Sequence, residues 1–171
     1  TAGYHGLADA YSRRFQVLVD GRSIYSPHYG TVYWTDLPLA IDDIERIEVV
    51  RGPNAAIHGA NAFVAVINII TKTAAQVPGE FASVQYGEQA MRGLTVRQGG
   101  GEDRLRYRVT ASAQQRDRFE KHVVGTVYDD GSYFEASKTY FVNGRLDWQL
   151  APDSDVMLQF GLSQGDWKGG S

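Results

Sequence analysis

The chain has no cysteine among its 171 residues, which excludes disulfides, thiolate metal sites and cysteine nucleophiles. No run of 18 or more apolar residues occurs, so no membrane-crossing helix can be drawn. Positive charge is not in excess either. Lys and Arg number 17 against 20 Asp and Glu, for a net charge of −3, and without a basic stripe no nucleic-acid partner is expected. Nothing near Thr1 has the pattern of a signal peptide. The four histidines, His5, His28, His58 and His122, show no i, i+4 spacing, so no protein metal site is expected. Gly99-Gly100-Gly101 follows a strand but opens no helix, which fits a turn and not a phosphate cradle. Asp153 and Asp155 lack the glycine and glutamate of a calcium loop. No Ser/His/Asp set or cleft carboxylate pair has supporting context. The expectation is a non-enzyme with no cofactor.

What is present is apolar content of 43%, enough for a core, with 19 glycines, 10 tyrosines and 3 tryptophans. Glycine turns and aromatic girdles are materials of membrane strands. Residues 1–14 read as loop. Residues 15–20 read as a short strand ended by the turn dipeptide Asp20-Gly21. A loop over 24–36 concentrates Tyr25, His28, Tyr29, Tyr33 and Trp34. A short helical turn is expected over 38–43 and a charged strand over 44–51, carrying Glu45, Arg46, Glu48 and Arg51. On consecutive strand positions these four face alternate sides. Pro53 suits the first turn of a short helix at 54–58, ended by Gly59. Residues 66–71 are apolar on both faces, as in a central strand.

The texture changes near residue 73. Residues 74–79 read as a linker, and strict alternation follows. Over 105–114, Leu105, Tyr107, Val109, Ala111 and Ala113 share one face, and Arg106, Arg108, Thr110, Ser112 and Gln114 the other. Segments 140–150 and 156–162 repeat the pattern, with shorter versions at 81–86 and 92–98. A soluble antiparallel sheet with one wet face alternates in this way, and so does a wall of membrane strands. The connections favour the wall. Links 99–104 and 151–155 are short, while 116–138 is long and polar and falls on the opposite side with 87–91 and 165–171.

Several segments together resemble one family. Val17-Leu18-Val19-Asp20-Gly21-Arg22, the run from Asp43 to Pro53, His58-Gly59-Ala60-Asn61-Ala62 and the run from Val66 to Lys72 are similar to the plug domain of TonB-dependent outer-membrane receptors. His58 stands where another aromatic is more usual, and Ala65 where glycine is. The resemblance implies an α+β plug portion, a small mixed sheet with short helices, followed by antiparallel strands of an incomplete outer-membrane β-barrel. Its domain division is 1–73 for partial plug, 74–79 for linker and 80–171 for barrel strands. It further implies energised uptake of a scarce nutrient across the Gram-negative outer membrane, a ferric siderophore or similar metal chelate. The partners implied are that ligand, outer-membrane lipid, and TonB acting through a segment absent from this chain.

Tyr25, His28, Tyr29, Tyr33 and Trp34 would then form a ligand-facing plug apex, offering rigid apolar area with polar tips. Glu45, Arg46, Glu48 and Arg51 would anchor plug to barrel, since guanidinium groups bind carboxylates bidentately. Such barrels have about 22 strands, and the five or so here cannot close. The chain is therefore expected to be a fragment that transports nothing alone and self-associates through its apolar faces. The alternative is a non-transporting β-rich binding or assembly module of the cell envelope, folding as a monomer without detergent.

Overall fold

The computed structural model describes residues 15–26, 32–34, 37–52, 62–88, 90–116 and 134–169. The chain divides into two compact units, Thr1–Trp34 with Ile41–Lys72 and Thr35–Ala40 with Thr73–Ser171.

The first unit holds a four-stranded sheet in the order β2-β1-β4-β3. Its strands are β1 (Phe15–Val19), β2 (Arg22–Ser23), β3 (Ile44–Arg51) and β4 (Ala65–Thr71). β1 and β4 pair in parallel, from Phe15 opposite Ala65 to Val19 opposite Ile69. A parallel pair needs apolar cover on both faces. Phe15, Val64 and Ala65 form one buried cluster, with Ile67 packed on it, and Leu18, Ala62 and Val66 form another. The β1–β2 turn is made by Asp20 and Gly21, both at positive φ (48° and 79°), a conformation that glycine and aspartate tolerate best.

Asp20 then closes the sheet. Its carboxylate accepts from the Thr71 amide at 2.8 Å and from Thr71 Oγ1 at 2.7 Å. The Asn68 side-chain oxygen accepts from the Gly21 amide at 3.2 Å. Both contacts fix the turn to the end of β4.

The expected short helices are not found among the described residues of this unit. Helical geometry there is limited to 3-10 turns, at Trp34 and over Ile41–Asp43. Three residues leading straight into β3 leave no room for an i→i+4 bond, so the tighter turn forms. The expected helix at 54–58 lies outside the described residues.

The second unit is a five-stranded antiparallel meander, β5 (Gly79–Tyr86), β6 (Arg92–Glu102), β7 (Leu105–Arg116), β8 (Phe134–Ala151) and β9 (Ser154–Gly169). Residues 74–79, expected as linker, carry a 3-10 turn (Ala74–Gln76) and the start of β5. The triglycine is strand, not turn. β6 continues through it to Glu102, and Asp103-Arg104 makes a two-residue turn. A ladder needs backbone groups and not side chains. Gly99 lets the Val77 carbonyl approach where a Cβ would stand. At the same end Pro152-Asp153 joins β8 to β9. The opposite end carries the 87–91 connection and the longer passage between β7 and β8. β9 also runs on as strand to Gly169, where loop is expected from 165.

Alternation places Val84, Leu94, Val96, Val109, Val142, Phe160 and Leu162 on one face, all exposed. The other face carries Thr95, Arg108, Thr110, Ser112 and Asn143, all buried. This sheet is apolar on its exposed face, and its covered face is mainly polar, Phe141 being a buried exception.

Candidate functional site

The aromatic segment after β2 is described in part. Tyr25 is half-buried, and its amide donates to Ser23 Oγ at 3.4 Å. That hydroxyl also accepts from Gln16 Nε2 at 2.7 Å, which ties the segment to β1. Beyond it, Val32 is buried while Tyr33 and Trp34 are exposed. His28 and Tyr29 lie outside the described residues, as do the other three histidines. Two of the five expected ligand-contact residues thus present aromatic surface, and a third braces the strand end.

The charged strand departs from simple alternation. Pairing with β4 shifts register between Ile44, opposite Thr71, and Arg46, opposite Ile70. Glu45 is the extra residue of a bulge. The bulge brings Glu45 and Glu48 to one guanidinium. Arg46 Nη1 donates to Glu45 Oε1 and its Nε to Glu48 Oε1, each at 2.9 Å. Donation of its hydrogen bond to the Glu48 carboxylate above all raises the Arg46 pKa, with the charges of both glutamates adding to it. Arg51 stands apart at the end of β3, opposite Ala65.

The inward face of the five-stranded sheet carries polar contacts that period-two reading does not single out as a site. Arg108 lies directly opposite Arg145, and Arg106 opposite Asp147. Like charges facing each other are unfavourable. Asp147 offsets this by accepting from Arg145 Nε at 2.8 Å and from the Ala74 amide at 2.8 Å. Arg97 packs its guanidinium over the Phe81 ring at 4.5 Å. Thr95 and Ser112 share a hydrogen bond at 2.9 Å.

Asn143 Nδ2 donates to the Pro38 carbonyl at 2.9 Å, and Gly161 leaves space that the Pro38 ring fills. Residues 37–40 are thereby held on this strand face. The signal for these contacts is the polar half of each alternating segment, which periodicity marks but does not pair.

A family model described as the TonB-dependent receptor plug domain matches residues 3–66. A vitamin B12 transporter of Photobacterium profundum is 34% identical over 177 residues, 98% of this chain and 26% of that protein. A probable TonB-dependent siderophore receptor of Acinetobacter baumannii is 30% identical over 167 residues, 86% of this chain and 22% of that protein. Among solved structures, the ferric enterobactin receptor PfeA has a TM-score of 0.67 at 24% identity, covering 91% of this chain and 26% of that one. At that identity the likeness is one of fold. The chain spans about a quarter of the length of the relatives that match nine-tenths or more of it.

Proposed function

Because this chain belongs to the TonB-dependent receptors of the Gram-negative outer membrane, we infer that it serves in energised uptake of a scarce, chelated nutrient. The observation that carries the reading is the presence in one chain of a plug-type sheet and a wall of strands that is apolar outward and polar inward. Short turns lie on the periplasmic side and longer connections outside. A ferric siderophore or similar metal chelate is the ligand. It meets the aromatic apex of Tyr25, His28, Tyr29, Tyr33 and Trp34, whose rings offer apolar area with polar tips. TonB acts through a segment beyond this chain, and Glu45, Arg46, Glu48 and Arg51 restrain the plug until it does.

Vitamin B12 is the second reading, favoured by the B12 transporters among the relatives, one of them aligned over 98% of the chain. The test is uptake by the full-length receptor in cells lacking their own receptors. Radioactive ferric siderophore and labelled B12 are supplied with and without TonB. Accumulation of the siderophore that disappears without TonB is expected. Accumulation of B12 alone selects the second reading, and TonB-independent entry of both overturns the function.

A further inference from the structure

On the covered face of the five-stranded sheet, Asn143 of β8 and Gly161 of β9 lie directly opposite each other. Both meet one residue, Pro38, which belongs to the same compact unit as these strands. The buried Asn143 side chain donates to the Pro38 carbonyl, and the Pro38 ring takes the space beside Gly161. A Cβ at position 161 would stand 2.6 Å from Pro38 Cγ. Gly161 is not one of the glycines at positive φ, so its backbone would accept alanine and only the ring forbids it. Thr110 of β7, fully buried, backs Asn143 from the other side. The strands build a seat of one donor and one hole, and the same proline uses both.

The proline is shaped for that seat. The Leu39 amide donates to the Leu37 carbonyl at 2.8 Å, which closes a three-residue turn with Pro38 at its centre. Such a turn needs φ near about −75°, close to what the proline ring imposes. It leaves the Pro38 carbonyl for Asn143. Only three residues separate Pro38 from Trp34. At about 3.6 Å per residue fully extended, the Trp34 backbone stays within about 14 Å of the seat. Tyr33 and Trp34, both exposed, are on that short leash.

We propose that Asn143 and Gly161 are positioning residues for ligand capture. By seating Pro38 they fix where Tyr33 and Trp34 are offered to the incoming nutrient. The inference rests on the aromatic-apex reading of the proposed function and adds residues that act through the loop. Positioning fits this contact better than packing does. A packing contact would gain from a methyl group at 161, whereas this one requires its absence and an amide on the neighbouring strand.

Full-length receptor in detergent, carrying a nitroxide at Trp34→Cys, reads the seat directly. Gly161→Ala should mobilise the label, seen as narrower lines in its paramagnetic resonance spectrum, and Asn143→Leu should act in the same direction. Adding Pro38→Ala to Gly161→Ala removes the clashing Cγ and should return the spectrum toward wild type. Unlabelled receptors report the consequence, with radioactive ferric enterobactin and cyanocobalamin both offered. Gly161→Ala should raise Kd about tenfold, as loss of preorganisation does, with the number of sites and the uptake rate at saturation unchanged. Pro38→Ala should again rescue. A label that stays immobile in both variants, with the heat-dependent gel mobility of the barrel intact, overturns the seat. Tyr33→Ala/Trp34→Ala separates the two readings. If it raises Kd and Gly161→Ala does not, the positioning role is overturned and the apex stands; if neither does, both fall.

Discussion

The two sheets of this chain obey opposite burial rules. In the four-stranded sheet the inner strands β1 and β4 bury their apolar residues, with Val17 0% exposed, while the edge strand β3 is exposed along its length. In the five-stranded sheet Thr110 is 0% and Arg108 3% exposed, while Phe160 and Leu162 stand at 58% and 74%. Water cannot be the solvent of both apolar surfaces. The inner strands of the first sheet hide their apolar groups from water by packing them inside. The second turns them outward, which is stable only where hydrocarbon replaces water. The same period-two backbone serves both, and only the assignment of faces differs.

Breaking the first rule should cost most. Val17→Asp buries a carboxylate without a partner, and the four-stranded sheet is expected to lose roughly 4 kcal/mol or more. Limited proteolysis of the full-length receptor should then cut within residues 15–72 while the strands from β5 onward stay protected. The mirror experiment is Val109→Arg on the outward face. Near the middle of a lipid-facing wall this costs about 2–4 kcal/mol, read from urea titration of receptor folded into phosphatidylcholine vesicles. A soluble sheet would tolerate the same exposed change within about 0.5 kcal/mol, so a neutral result would restore the alternative of a β-rich module working in water.

A smaller effect probes how the first sheet is closed. Thr71→Val keeps the amide bond to Asp20 and removes the hydroxyl one. Bonds to a charged group are worth about 1.5–3 kcal/mol, and the loss should appear as faster amide exchange at the β1–β2 turn. Asp20 and Thr71 are 51 residues apart. The turn dipeptide announces Asp20 locally, but nothing local names its partner, so the turn is legible in sequence and the clamp is not.

The same distinction runs through the fold. β3 is bounded as its charged motif suggests, and β4 differs by one residue, because apolar content and flanking turns mark them. The ends of β8 and β9 carry no such mark. Beyond the apolar band the residue types no longer alternate in sequence, and strand continues because each backbone is paired with its neighbour. The triglycine suggests a turn for the converse reason. Its residues carry no pattern, yet they pair opposite Tyr107 and its neighbours as ladder. Of the expected ligand-contact residues, Tyr33 and Trp34 are exposed. The convergence of Glu45, Arg46 and Glu48 requires a bulge that alternation cannot foresee.

That convergence makes the finest test of the comparison, because charge in the first sheet is either solvated surface or an anchor. Side chains of Arg46, Glu45 and Glu48 are 52%, 33% and 45% exposed, and exposed pairs contribute little to stability. Arg46→Gln is therefore expected to leave the thermal midpoint unchanged. The raised pKa of Arg46 also decides what pH can do. A cation whose pKa rises on folding lends support that is full below its unfolded value and is lost only as pH climbs through the folded one. For arginine that window lies above any pH at which uptake is measured. Its charge can be removed by substitution and not by titration. An unchanged midpoint with TonB-dependent uptake cut severalfold marks an anchor. An unchanged midpoint with normal uptake makes the cluster a solvated edge of β3. The anchoring role then falls to Arg51 at the far end of the strand, where Arg51→Gln in the same uptake assay should produce the loss that Arg46→Gln did not.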